Sequence, residues 1–380
     1  MRYRQFKKYS DVYKGGADHL NKEYLPTLVK SDEDNFDMAV ARKSVEFIDK
    51  RAKDGKSFFI HVGFEKPHPP LTTTQKYLDM HKPANFELPA TYDDWFKKGK
   101  YPWVPNWIHS NIQKDHASAK NVMAAYNACV TEVDEMVGRV VQALKDGGLY
   151  ENTIIIYTSD HGEHLFEHGL MNKHNMYEDA VNIPFIISYP KLFKQNISNN
   201  SIVSLIDVMP TLAELIDGKI PKTAQGVSLV DALKNGTEIK ERSVFSEFRG
   251  AGYLLLPEVK NVPSRMMRTD EFKFVYTHGI IDQLYNLKED PDELNNLIFD
   301  KKYYEIYQRM RFQTLVDWRF QQYKPIKVSV ANKKIIWDKS NENNYYSVFY
   351  SKDQNPANST LISDYSIENQ YSAKINGYYW

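Results

Sequence analysis

Cysteine is almost absent. The 380 residues hold one, Cys129, so an internal disulfide is excluded and a thiolate-rich metal centre is a poor fit. Excess charge is absent too. Lys+Arg and Asp+Glu both count 49, which removes the basic surplus expected of a nucleic-acid binder. Long apolar runs are missing. The best, Thr153–Tyr157 and Pro184–Ile187, fall far short of the roughly 20 residues that cross a bilayer. The basic start, Met1 to Lys8, leads into no apolar stretch of about 7–15 residues, so no signal peptide is read. No internal repeat is visible.

What remains is a globular composition, 42% hydrophobic and 26% charged. The length fits one large domain plus a smaller one. Asn-X-Ser/Thr sequons begin at Asn196, Asn199, Asn235 and Asn358. In so Asn-rich a chain they favour a secreted parent only weakly.

Helical spacing of apolar residues runs from Asp34 to Lys50 and from His116 to Lys145. Gly147-Gly148 ends the second helix. Ser57–Phe64 reads as a buried strand, followed by the rigid loop Lys66-Pro-His-Pro-Pro70. Residues 71–115 read as a long surface excursion. Thr153–Thr158 and Pro184–Tyr189 read as buried strands, and Asp207–Ile216 as a short helix that Asp207 caps. Alternating helices and continuously apolar strands imply an α/β sheet covered on both faces. From about residue 219 short strands over Ser243–Phe248, Met266–Thr269, Phe272–Tyr276 and Gln283–Leu287 imply an antiparallel sheet, followed by a helix over Tyr303–Phe320. The resulting division is 1–218, 219–325 and a Tyr/Asn-rich peripheral tail, 326–380.

Chemistry concentrates in Thr158-Ser-Asp-His-Gly-Glu-His-Leu-Phe-Glu-His-Gly169, with Lys173-His174 and Tyr177-Glu178 close behind. A strand delivers Asp160 and His161 to its C-terminal edge, and Gly162 lets the chain turn. An acid beside an imidazole suits a divalent cation. The carboxylate favours a hard ion such as Ca²⁺, whereas the imidazole alone favours Zn²⁺ or another transition metal. The plain alternative is a solvated turn. Lys173 is a point charge suited to an anionic ester, or else an exposed solubilising lysine. His68, held between prolines, can donate a proton to a leaving oxygen, or else serve as a structural loop histidine. Lys66 is a weaker candidate for the same anion. His164, His168 and His174 read as supporting or surface residues.

Asn152 to Gly169, Lys173, Tyr177-Glu178 and Val181–Ile187 together resemble type I sulfatases, most closely the iduronate-2-sulfatase and choline-sulfatase-like branch. The resemblance extends to Phe58–Pro70, Tyr126–Leu149, Ser204–Leu212, Gly226–Leu229, Met266–Phe274 and Leu284–Leu297. It implies an alkaline-phosphatase-like α/β sheet sandwiched by helices, N-terminally incomplete, with a smaller C-terminal antiparallel α+β domain. Carried over by position, Asp160 and His161 match a pair of calcium ligands. Lys173 matches the sulfate-binding lysine, with Lys66 nearby, and His68 matches the histidine near the bridging oxygen. Many members carry Asn where His161 stands, though the iduronate branch has His.

Other expected parts are missing. The family's first Asp-Asp ligand pair, its Cys-X-Pro/Ala-X-Arg motif and its Gly-Lys-Trp-His block are not found. The cysteine of that motif becomes formylglycine, whereas Cys129 sits on the apolar face of a helix without the Pro and Arg. The resemblance thus implies a Ca²⁺-dependent sulfuric ester hydrolase acting on a sulfated small molecule or sulfated sugar. It also implies a missing N-terminal segment and inactivity of this chain alone. A complete eukaryotic parent would be secreted or lysosomal. Two other readings stand beside it: a phosphodiester or phosphonate hydrolase on the same scaffold, and a catalytically dead sulfated-glycan-binding protein.

Overall fold

Capping sets the limits of the first long helix. In the computed structural model, α1 spans Phe36–Asp54, following the two-residue strand β1, Thr27–Leu28. Asn35 accepts from the Asp37 amide at 3.1 Å, and Gly55, in the left-handed region at φ 64°, donates to Arg51 O at 2.9 Å. Asp37 lies in the first turn, with Arg51 and Lys53 in the last, which suits the helix dipole. The structure describes residues 26–29, 35–93, 115–248, 264–277 and 281–317. Beyond these it describes short backbone strands between 328 and 379. The stretch 94–114 of the expected surface excursion, and the parts of the tail between those strands, lie outside the described residues.

The chain divides into two compact units. The first holds residues 1–173 and 182–197, the second 174–181 and 198–380. Residues 198–218, read from sequence as the end of the α/β domain, fall in the second.

In the first unit β2, Thr72–Thr73, pairs in parallel with β1. A short helix, α2 (Gln75–Leu78), precedes the 31-residue α3, His116–Asp146. Asp115 caps α3 by accepting from the Ala117 amide at 3.1 Å. Its inward face carries Val122, Ala125, Cys129, Val133 and Met136, all buried. Met38 and Ala41 of α1 and Tyr77 of α2 pack against Ala128, Val133 and Met136. Leu71, Tyr92 and Phe166 close a second cluster over Val122 and Cys129. Residues 71–93 are therefore core-forming rather than an excursion, because Leu71 and Tyr77 have no exposed surface.

Two expected strands differ from the sequence reading. Residues 57–64 form no ladder among the described residues. Their side chains alternate instead. Phe58 and Phe64 turn toward the helical clusters, while Phe59 is 83% exposed. The second, β3, is only Ile155–Thr158, paired antiparallel with β4, Phe185–Ser188. Among the described residues its ladder partner is β4 alone. Ile155 packs with Ile48, Ala143 and Leu144, but Tyr157 and Ile186 remain 37% and 58% exposed. A continuous apolar run cannot distinguish one covered face from two, and here one face is covered. No described helix is long and apolar enough to cross a membrane.

The second unit begins with α4, Glu178–Val181. A single 3₁₀ turn, Leu205–Asp207, leads into α5, Val208–Leu215. Ser204 and Asp207 form a reciprocal capping box, with Ser204 N donating to Asp207 Oδ2 at 2.7 Å. Asp207 is thus the third residue of the turn and stands at the N-cap position of α5, where its side chain makes no capping bond. Its Oδ1 accepts from Arg242 Nη2 at 2.6 Å and from Val227 N at 2.9 Å. Gly226 permits this approach, since a Cβ there would sit 2.0 Å from Ile206 O. After α6 (Val230–Asn235) come β5 (Val244–Phe248), β6 (Ser264–Arg268), β7 (Phe272–Thr277) and β8 (Gln283–Asn286). These four form an antiparallel meander in that order. The final helix, α7, is Tyr304–Phe312 and runs into a π turn, Gln313–Asp317. Met310 and Tyr303 pack on Phe274, Leu284 and Met267 of the sheet.

Candidate functional site

The end of β3 presents Ser159, Asp160 and His161. Asp160 Oδ1 accepts from the His161 amide at 3.0 Å, and its side chain is 83% exposed. The His161 ring makes a 2.9 Å hydrogen bond from Nδ1 to Gly162 O. That places the ring proton on Nδ1 and leaves the Nε2 lone pair open. Nε2 lies 3.5 Å from Asp160 Oδ2. One imidazole nitrogen and one carboxylate therefore face the same point, as a chelating pair does.

From there the chain makes a tight loop back to Lys173. Leu165, Phe166, His168 and Asn172 all have positive φ, at 41°, 79°, 54° and 71°. Such backbone is uncommon outside glycine and costs energy. Glu163 helps hold it. Its Oε1 accepts from the Leu165 amide at 3.4 Å and also from the Asn172 amide. His164 N donates to Asn172 O at 3.0 Å, and Phe166 N to Leu170 O at 2.8 Å. His164 and His168 are buried, with ring centroids 6.5 Å apart at 81°. They are internal parts of the loop.

Lys173 emerges half-buried from this loop. Burial lowers its pKa, against the attraction of Glu163 and Asp160. The same burial raises the Glu163 pKa, with His164 and Lys173 among the opposing charges. Lys173 is thus a partly desolvated ammonium that feels the charges of Glu163 and Asp160. Glu163 was legible only as part of the motif. An acid two residues beyond His161, across a glycine turn, was the available signal.

Lys66 departs from its sequence-based role. Its side chain is 6% exposed and lies within a buried polar group. Nζ donates to Asn35 Oδ1 at 2.8 Å and stands 3.6 Å from Asp37 Oδ2 and 3.9 Å from Glu132 Oε2. Asp37 in turn accepts from the amides of Glu65 and Lys66 at 3.0 and 3.1 Å, and Glu132 from Thr73 Oγ1 at 3.0 Å. Lys66 lies against two buried acids and fastens the proline loop. His68, two residues on, is exposed. Its Nδ1 bonds to Pro69 O at 2.6 Å, which leaves Nε2 open. Among the described residues no hydrogen bond or ion pair joins His68 to Asp160, His161 or Lys173. Cys129 is fully buried, 3.6 Å from Thr72 O, and burial pushes its thiol up to about 12.

Among the described residues no group of three or more His, Cys, Asp or Glu side chains could hold a metal ion. Asp160 and His161 provide two donors, against the six to eight oxygens, roughly, that Ca²⁺ takes. The pair does not by itself make a calcium site.

The family model described as Sulfatase matches residues 2–218. One described as N-sulphoglucosamine sulphohydrolase, C-terminal, matches residues 166–321. Arylsulfatase K of Bos taurus is 30% identical over 286 residues, which cover 67% of this chain and 50% of the relative. The chain thus spans about half the length of the curated relatives it matches. Among solved structures, BT4656 in complex with its substrate D-glucosamine-2-N,6-O-disulfate aligns with a TM-score of 0.61 at 23% identity, covering 72% of this chain and 67% of that one. Phosphonate monoester hydrolase SpPMH from Silicibacter pomeroyi aligns at 0.65 and 22% identity, covering 82% and 68%. The shared fold is the alkaline-phosphatase-like α/β fold.

Proposed function

Since the chain belongs to the sulfatase family, we propose that the protein hydrolyses a sulfate ester, with Lys173, His68, Asp160 and His161 as this chain's share of the site. The observation that carries the reading is the half-buried Lys173 at the end of a strained loop that starts from Asp160 and His161. A cation partly removed from water binds a sulfate oxygen more strongly than a solvated one. His68 keeps Nε2 open, and a protonated imidazole there donates to the bridging oxygen as the S–O bond breaks. The open His161 Nε2 and Asp160 Oδ2 are two donors toward a calcium ion, whose remaining ligands no described cluster supplies. When bound, such an ion adds positive charge beside the ester.

None of these four groups is a suitable attacker on sulfur, and Cys129 is buried with its thiol held neutral. The 380 residues alone are therefore inactive in this account, and the formylglycine used elsewhere in the family is not formed at Cys129. A sulfated sugar is the substrate class favoured by the disulfated glucosamine bound to BT4656. A phosphonate ester is the second reading, supported by the SpPMH likeness in fold.

Inorganic sulfate tests the assignment of the anion site. Titrated into the full chain and followed by amide NMR, it should shift the signals of residues 160–173 first. Lys173→Ala should remove those shifts while leaving the rest of the spectrum in place. Shifts confined to other regions, or unchanged in Lys173→Ala, would contradict the assignment.

A further inference from the structure

The loop that carries Lys173 is closed at its neck by the two residues that follow Gly162. Glu163 Oε1 accepts the Leu165 amide at 3.4 Å and also the Asn172 amide. His164 N donates to Asn172 O at 3.0 Å. Both polar groups of the Asn172 backbone are therefore held. The Asn172 carbonyl belongs to the peptide unit that leads into Lys173. Pinning it fixes that peptide plane, and with it the direction in which the lysine leaves the chain. Asn172 sits at φ 71°, a conformation that costs a non-glycine residue energy and persists where the surroundings enforce it.

The tip of the loop is fastened separately. Thr91 Oγ1 accepts the His168 amide at 2.9 Å and donates to Glu167 Oε2. Phe166 and Leu170 have no exposed surface, and the Phe166 ring stands 6.1 Å from that of Tyr92. The tip is thus part of the core. Of the three neck bonds, two run to the Glu163 side chain.

We propose that Glu163 is a positioning residue of the anion site: its carboxylate holds the Asn172 backbone and thereby places Lys173 for an anionic ester. The role rests on the assignment of Lys173 as the anion-binding lysine.

Positioning and plain charge predict different things. Lys173 feels the negative charge of Glu163. Acting through charge alone, Glu163 opposes an incoming anion, so removing it in any form tightens anion binding. Acting as an acceptor, it favours binding by ordering beforehand the backbone from which the lysine extends. Glu163→Gln keeps an acceptor oxygen in the same place and deletes the charge. Glu163→Ala deletes both. The two substitutions therefore separate in their effect if Glu163 positions Lys173, and act alike if it works through charge.

Inorganic sulfate titrated into the full chain, followed by amide NMR at residues 160–173, reads the affinity. Glu163→Gln should bind at wild-type affinity or tighter. Glu163→Ala should bind about tenfold more weakly, roughly the effect of losing one charge-assisted hydrogen bond. Hydrogen exchange reads the neck without sulfate. The Asn172 amide should be protected in the wild type and in Glu163→Gln, and should lose about tenfold or more of that protection in Glu163→Ala. Unchanged or tighter binding in Glu163→Ala overturns the proposal, as does an equal weakening in both variants or Asn172 protection that Glu163→Ala leaves unchanged. If Glu163→Ala fails to fold, the other two chains decide. A protected Asn172 amide and retained affinity in Glu163→Gln support the proposal, and fast Asn172 exchange in the wild type overturns it. A wild-type chain that gives no sulfate shifts at residues 160–173 refutes the anion assignment itself, a failure that the exchange measurement does not share.

Discussion

Replacing Lys66 with methionine separates two roles for this residue, one structural and one in substrate binding. Methionine matches the aliphatic length and removes only the charge. In the folded chain it leaves Asp37, 3% exposed, and Glu132, 0% exposed, without their shared cation. At an effective dielectric of about 20, attraction across 3.6 and 3.9 Å is worth about 4–5 kcal/mol per pair before desolvation is counted. Measured losses on breaking a buried pair by removing one partner are about 3–5 kcal/mol. The Asn35 acceptor at 2.8 Å also loses its donor. A loss of this size should lower the melting midpoint by roughly 10 °C in calorimetry at neutral pH. Sulfate-induced shifts at residues 160–173 should persist at temperatures where the variant is folded. Adding Asp37→Asn should recover part of the loss, because it removes one of the stranded charges. A Lys66→Met variant with wild-type melting and abolished sulfate binding would refute the structural role and restore Lys66 to the anion site.

Cys129 should resist alkylation and disulfide reagents at pH near 8, since its thiol is buried and held up to about 12. It should react once denaturant opens the core, and fast stoichiometric labelling of the native chain would contradict its burial. Gly226→Ala should destabilise the second unit by about 1–3 kcal/mol or more, because the new Cβ meets Ile206 O at 2.0 Å; denaturant titration measures it, and an unchanged midpoint would show that the 206–207 turn yields. Met136→Ala empties a position with no exposed surface between α1 and α3 and should cost about 2–5 kcal/mol in the same assay.

Helices were legible because their signal is local. The apolar spacing and the Gly147-Gly148 stop placed α1 and α3 within a few residues of their ends. The meander of β5 to β8 was also visible, since four short β-prone runs follow one another in that order. Strand environment was not. Thr153–Thr158 and Ser57–Phe64 are mostly apolar, and nothing within them records which neighbours pair with them or how many faces are covered. Asp160 and His161 stood out as an acid and an imidazole at a strand end. The burial of Lys66 did not, because its partners lie 29 to 66 residues away at Asn35, Asp37 and Glu132 and no local pattern links them.

Turnover tests the central claim most directly. Residues 1–380, purified and supplied with calcium, should not hydrolyse a chromogenic aryl sulfate above the rate of buffer. On the proposed reading the groups at Lys173, His68, Asp160 and His161 bind and polarise an ester, and none of them is the covalent attacker. Assaying His68→Ala and Lys173→Ala in parallel identifies any contaminating enzyme, whose rate would not change. Robust hydrolysis that both substitutions abolish would contradict the account and show that a nucleophile lies within these 380 residues.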